Sequence, residues 1–138
     1  MTTTCSEINY KNNIAFSDLK VLIAEDNEVN QLLAKGILRH WGVETKIATN
    51  GNEVLELLKA EDFDLVLMDI QMPVMDGYET TQKIRREHKN SNLPIIAVTA
   101  KAMKGDREKC IEAGAWDYLS KPVNTEDLLA VLRAWLPQ

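Results

Sequence analysis

Five polar residues stand where short apolar runs stop. Glu25 and Asp26 close Lys20-Val21-Leu22-Ile23-Ala24, and Asp69 closes Leu65-Val66-Leu67-Met68. Thr99 closes Ile95-Ile96-Ala97-Val98, and Lys121 follows Trp116-Asp117-Tyr118-Leu119. Three carboxylates brought together repel, and protons or a cation must relieve them. A hard divalent ion such as Mg²⁺ does so with few carboxylates while keeping several waters. A lysine offsets more charge and holds a phosphate oxygen as a point charge. A threonine hydroxyl can donate to the same oxygen. The set therefore suits a carboxylate nucleophile that accepts a phosphoryl group, with metal and lysine stabilising the equatorial oxygens. Singly, each residue has a structural alternative: Glu25-Asp26 as a helix cap, Asp69 as a turn former, Thr99 as a hydroxyl bonded to backbone, Lys121 as a surface turn lysine before Pro122.

The elements that must position these residues follow from apolar patterning. Leu65 to Met68 has no polar face, which predicts a strand covered on both sides. Lys20 to Ala24 and Leu93 to Val98 read the same way, with Pro94 tolerable at a strand's start. Val43 to Ala48 and Trp116 to Leu119 supply two more strands. Between them lie five helical segments. The first is capped by Asn27, carries an apolar stripe at Val29, Leu33 and Ile37, and stops at Gly42. The second follows an Asn50-Gly51 turn, presents Val54, Leu55, Leu57 and Leu58, and runs to about Ala60. The third is expected from Tyr78 to about His88, buried through Tyr78, Thr81 and Ile84 or their neighbours. The fourth spans Lys104 to Ala113, and Gly114 stops it. The fifth is capped by Asn124 or Thr125 and presents Leu128, Leu129, Leu132 and Trp135. Strict β-α alternation predicts one doubly wound α/β domain of the flavodoxin-like kind, with a five-stranded parallel sheet in the order 2-1-3-4-5 and five helices. In such a sheet the carboxyl ends of the strands form the ligand crevice, so all five polar residues would meet there.

Composition narrows the field. A 138-residue chain suits one domain, here read as a polar leader or linker over 1–18 and a folded unit over 19–138. The net charge of -5 argues against nucleic acid as a partner. The basic cluster Lys83 to Arg86 with His88 and Lys89 fits a helix C-terminus. Cys5 and Cys110 have no metal-ligand spacing and read as free thiols of a reducing, cytoplasmic compartment. There is no membrane-length apolar run and no signal peptide.

The motifs Leu22-Ile23-Ala24-Glu25-Asp26-Asn27 with Asn30-Gln31, Asp64 to Gly77, Pro94 to Ala100, and Lys121-Pro122 resemble a response-regulator receiver domain, of the kind found in hybrid sensor histidine kinases. The likeness runs from about Leu19 to Leu136. It implies that Asp69 is the phospho-acceptor, that Glu25 (through water), Asp26, Asp69 and the Gln71 backbone carbonyl hold Mg²⁺, and that Lys121 contacts the phosphoryl group. It further implies a switch in which Thr99 moves toward the phosphoryl group and Tyr118 swings inward, a cis Lys121-Pro122 bond, and a structural rather than catalytic Asp76.

The implied partner is a histidine kinase or histidine phosphotransfer domain, docked on Asn27, Asn30, Gln31, Ala34, Pro122 and Val123. Asn30, Gln31 and Ala34 lie off the Val29-Leu33-Ile37 stripe and are expected to face outward. A monomer without direct membrane contact is expected, with catalysis limited to Mg²⁺-dependent self-phosphorylation and slow self-dephosphorylation. The parent is read as a hybrid histidine kinase ending in this receiver, possible anchorage being at the inner face of a membrane. The alternatives are a free-standing single-domain regulator and a pseudo-receiver that binds partners without taking phosphate. A haloacid-dehalogenase-like phosphatase would need a second Asp two residues after its nucleophile, where this chain has Gln71. A flavin or nucleotide binder would need a glycine-rich first loop, where this chain has Ala24-Glu25-Asp26-Asn27.

Overall fold

A computed structural model describes residues 18–87, 92–100 and 104–136. The predicted alternation is observed among them: β1 (Lys20–Ala24), α1 (Glu28–His40), β2 (Glu44–Ala48), α2 (Gly51–Ala60), β3 (Leu65–Asp69), α3 (Gly77–Arg86), β4 (Ile95–Thr99), α4 (Lys104–Ala113), β5 (Asp117–Ser120) and α5 (Thr125–Trp135). The five strands form one parallel sheet in the order β2-β1-β3-β4-β5. Each strand's side chains alternate between two cores. Val21, Ile23, Leu67 and Val98 pack on one face against Ala34 and Leu38 of α1 and Leu128 and Leu132 of α5. Leu22, Val66, Met68 and Ile95 pack on the other against Val54 and Leu58 of α2 and Ile84 of α3. Cys110 of α4 joins Ile70, Ala97 and Ala115 in a third cluster. β3 is buried along its whole length, as a central parallel strand must be.

Short polar side chains start the helices. Asn27, Asn50, Asp76 and Asn124 each accept the backbone N–H three residues on, satisfying a donor that the helix cannot. Asn50-Gly51 is therefore a helix start rather than a separate turn. Asp76 is the structural residue expected.

Several boundaries move. β4 begins at Ile95, two residues after Leu93, because Pro94 has no N–H to donate; its carbonyl still accepts from Val66 N–H at 2.9 Å. β5 is Asp117–Ser120, one residue later than expected. α3 is buried through Gly77, Thr80, Thr81 and Ile84, with Tyr78 only half-buried. His88, Lys89, Cys5 and almost all of the expected leader lie outside the described residues.

The larger correction concerns α1. Val29 is 73% exposed and Leu32 68%, whereas Ala34 is 5% exposed and Leu38 fully buried. The core-facing stripe is Ala34, Ile37, Leu38 and Trp41, at the i, i+3, i+4, i+7 spacing of one helix face. The Val29-Leu33-Ile37 stripe was out of phase, and Ala34 belongs to the core rather than to an outward docking face.

Candidate active site

The site lies at the carboxyl ends of β1, β3, β4 and β5, and sheet register places it there. Asp69 pairs with Val98, one residue before Thr99, and Thr99 pairs with Ser120, one residue before Lys121. Lys121 is drawn back over the sheet by its own N–H, which donates to the Thr99 carbonyl at 2.8 Å. The Lys121–Pro122 peptide bond is cis.

Asp69 is buried, and Lys121 Nζ lies 3.1 Å from its Oδ1. The Gln71 backbone N–H donates to the same oxygen at 3.1 Å. Asp69 Oδ2 is buried without a hydrogen-bond partner. Such an oxygen is costly to leave unpaired, and it is the type of atom a hard cation takes. Glu25, Asp26 and Asp69 each offer an oxygen within 4.8 Å of the others. An all-oxygen donor set of this size, open on the Asp26 side, fits Mg²⁺.

Glu25 is equally buried. Its Oε1 lies 2.9 Å from Lys121 Nζ, and its Oε2 accepts the Asn27 backbone N–H at 3.2 Å. Burial pushes the Glu25 carboxyl above its ordinary range and contact with Asp69 adds to this, while Lys121 and the Asn27 N–H pull back less strongly. For Lys121, burial alone would lower the ammonium, but the Glu25 and Asp69 carboxylates together outweigh it and the pKa is raised. The lysine is thus held charged between two buried acids.

Gln31 was expected to face a partner. Its Nε2 instead donates to the Glu25 carbonyl at 2.6 Å, tying α1 to the loop that carries the acids. Gly77 has a role beyond punctuation. Its N–H donates to the Ile70 carbonyl at 2.9 Å, and a Cβ there would collide with the Asp69 carbonyl oxygen and sit 2.7 Å from Ile70 Cα. Only glycine lets α3 start this close to the end of β3.

Thr99 is buried at the end of β4. Tyr118, half-buried, packs against the Ile70–Ala97–Cys110–Ala115 cluster, with the Arg107 guanidinium 5.8 Å above its ring. Asn30, Leu33, Ala34, Lys121 and Val123 line a cleft beside Glu25. Asn27 and Pro122 are exposed at its rim. Val29 and Leu33, expected on the core face of α1, are exposed together with Leu32, and Leu33 also lines this cleft.

The arrangement matches known proteins. The model of the response regulator receiver domain family matches residues 21–133. Hybrid signal transduction histidine kinase I of Dictyostelium discoideum is 46% identical over 120 residues, 82% of this chain, and the chain spans only 7% of that protein's length. The receiver domain of sensor histidine kinase PA1611 from Pseudomonas aeruginosa PAO1, solved with a magnesium ion coordinated in its active-site cleft, is 38% identical. It superposes with a TM-score of 0.79 over 85% of this chain and 96% of its own. The receiver domain of Ssk1 from Saccharomyces cerevisiae, solved with the histidine phosphotransfer protein Ypd1, is 34% identical at a TM-score of 0.80, covering 87% of this chain and 90% of the other. Among the described residues no helix is long and apolar enough to cross a membrane. A parallel 2-1-3-4-5 sheet with a buried aspartate, two further acids, a threonine and a lysine at its strand ends therefore identifies the chain as a member of the response regulator receiver domain family of two-component and phosphorelay signalling.

Proposed function

We propose that Asp69 accepts a phosphoryl group from a phosphohistidine. The observation that carries this is the state of Asp69: a buried carboxylate with one oxygen held by Lys121 and the other unpartnered. A carboxylate oxygen forms the new bond to phosphorus as the phosphorus–nitrogen bond breaks, and the imidazole leaves with that electron pair. Lys121 neutralises charge on the phosphoryl oxygens. The Thr99 hydroxyl, at the adjoining strand end, donates to one of them. Asp26, Asp69, the Gln71 carbonyl and, through water, Glu25 would hold Mg²⁺. Bound there, the ion supplies charge neutralisation for the transferring group.

Phosphorylation draws Thr99 toward the phosphoryl group and gives Tyr118 room to turn inward. This shifts a two-state equilibrium at the face of α4, β5 and α5, by no more than the differential contacts allow. The donor is a histidine on a helical partner, docked across the rim formed by Asn27, Asn30, Pro122 and Val123. Val29, Leu32 and Leu33 take the place of Ala34 and Gln31 in that docking face, since large exposed apolar side chains suit a transient interface. We place the domain on the cytoplasmic side of a cell and, given its similarity to hybrid kinases, within such a parent.

The test is incubation with acetyl phosphate and Mg²⁺ followed by intact mass. The wild type should gain one labile phosphoryl group and Asp69→Ala none, with its fold intact by circular dichroism. No gain by the wild type would favour a pseudo-receiver. A gain by Asp69→Ala would move the acceptor elsewhere.

A further inference from the structure

Helix α1 carries apolar side chains on its outward side as well as on its core side. Glu28, Leu32, Gly36 and Arg39 recur at i, i+4, i+8 and i+11, so they fall on one stripe, and all four are exposed. Val29 and Leu33 border that stripe and are exposed with it. Gly36 is the notch in its middle. A glycine inside a helix is destabilising relative to alanine. The fold does not require this one: its backbone is ordinary helix, and a Cβ there would meet no atom within 4 Å. A groove of about 360 Å³ runs past Leu33, Gly36, Ile37 and His40 to Thr125 of α5.

We infer that this stripe is a self-association surface: a second copy of the chain packs its own α1 antiparallel across the first, and the dimer covers the face proposed for the phosphohistidine partner. The covering, though not the dimer, rests on that docking reading. The stripe is complementary to itself. The helix is 13 residues long, with Glu28 in its first turn and Arg39 and His40 in its last. A two-fold axis level with Ala34, the middle residue, carries Leu32 of one copy onto Gly36 of the other. Each leucine then enters the other copy's notch, and the missing side chain lets the helices approach closely. The same axis sets Glu28 of each copy beside Arg39 and His40 of the other, so both ends join opposite charges and the helix dipoles run antiparallel. A parallel pair would instead set glutamate on glutamate and leucine on leucine. A face about 20 Å long and about 10 Å wide is small against the roughly 1,200 Å² of a stable interface. The net charge of -5 on each copy also opposes contact. The dimer is therefore weak, with a dissociation constant between about 10 µM and about 1 mM.

Sedimentation equilibrium of the whole chain, without phosphoryl donor or Mg²⁺, tests this. From about 10 µM to about 1 mM, the average mass should rise from 15.6 kDa toward twice that value. Gly36→Leu, which fills the notch and favours helix, should weaken association at least about tenfold without lowering the melting temperature. Glu28→Arg and Arg39→Glu should each weaken it, because each sets like charges together at both ends. Mixed in equal amounts, these two variants should associate at least about tenfold more tightly than either alone, since every end then pairs an arginine with a glutamate. Both variants stay net negative, so long-range attraction does not account for the gain. As receiver concentration passes the dissociation constant, transfer from a phosphohistidine protein should slow per receiver chain. Phosphorylation by acetyl phosphate should not.

An average mass that stays at the monomer value up to about 1 mM would overturn the inference. So would a dimer that survives Gly36→Leu unchanged, or a mixture no tighter than its components, because either would place the contact on another face. A dimer with the expected variant behaviour, but with phosphohistidine transfer per chain constant, would stand as a dimer and refute the docking face on Val29, Leu32 and Leu33.

Discussion

Replacing Lys121 with methionine keeps the aliphatic stem and deletes the ammonium that lies 2.9 Å from Glu25 and 3.1 Å from Asp69. The attraction lost is of the order of 5 kcal/mol for each contact at an effective dielectric of about 20. The stability change is smaller, because an abandoned carboxylate escapes by taking a proton. For a carboxyl of ordinary pKa that costs about 3 kcal/mol at pH 7 and under about 1 kcal/mol at pH 5. We therefore expect Lys121→Met to destabilise the metal-free protein by about 2–3 kcal/mol at pH 7 and by about 1 kcal/mol or less at pH 5.

The sign follows from linkage. The Glu25 pKa is already raised in the folded protein, so its contribution to stability is complete below the ordinary carboxylate range and is lost as pH rises through the folded value. Removing the lysine, which pulls that pKa down, widens the window. The difference between variant and wild type should steepen toward about 1.4 kcal/mol per pH unit for one extra bound proton. Saturating Mg²⁺ should restore much of the loss, since a divalent ion replaces the missing charge at the same acids. Urea denaturation at pH 5 and pH 7, with and without Mg²⁺, measures all four values. Parallel pH curves for the two proteins would refute the reasoning, because they would mean that Lys121 does not restrain protonation of the buried acids.

Four further outcomes follow from the local structure. Val74 sits at φ 71° in a tight turn closed by Met75 N–H to the Pro73 carbonyl at 2.7 Å, and its side chain is 79% exposed. Val74→Gly removes a β-branched residue from the left-handed region at no loss of packing, and should raise stability by about 0.5–1 kcal/mol in thermal melts. Gly77→Ala puts a methyl against the Asp69–Ile70 backbone, and should lower stability by about 1–3 kcal/mol and slow phosphorylation by acetyl phosphate, since the acceptor's own backbone must move. Leu32→Glu, on the exposed face of α1, should slow transfer from a phosphohistidine protein at least about tenfold while leaving the acetyl phosphate rate unchanged. Ala34→Glu, which buries a charge, should instead lower the melting temperature; equal behaviour of the two variants in both assays would mean that α1 does not separate a docking face from a core face.

The site was legible because strands made it so. A central parallel strand needs no phase: Leu65 to Met68 are apolar on both faces, and the residue that ends them is delivered to the crevice whichever way its neighbours point. The same holds for Glu25 after β1 and Thr99 after β4. What proved illegible were the contacts made once those ends meet. That Lys121 bridges Glu25 and Asp69, and that Gln31 reaches back to the Glu25 carbonyl, depends on side-chain lengths across 96 and 6 residues of chain, and no periodicity encodes it.

Helix α1 failed for a different reason, and the failure carries information. It holds Val29, Leu32, Leu33, Ala34, Ile37 and Leu38, too many apolar residues for one face. A period of four fits Val29-Leu33-Ile37 as well as Ala34-Leu38, and weighting by size favours the wrong stripe because Ala34 is small. The helix uses that smallness: a buried alanine lets α1 pack closely on Val21 and Ile23 of β1. The surplus is then the signal. Folding alone favours polar side chains on the solvent face of such a helix, yet Val29 and Leu32 stand more than two-thirds exposed one to two turns from the acids. A helix with more apolar residues than its core can bury, starting right after Glu25 and Asp26, is the observation that supports the proposed docking face, and that proposal fixes the side of the crevice from which a partner would approach.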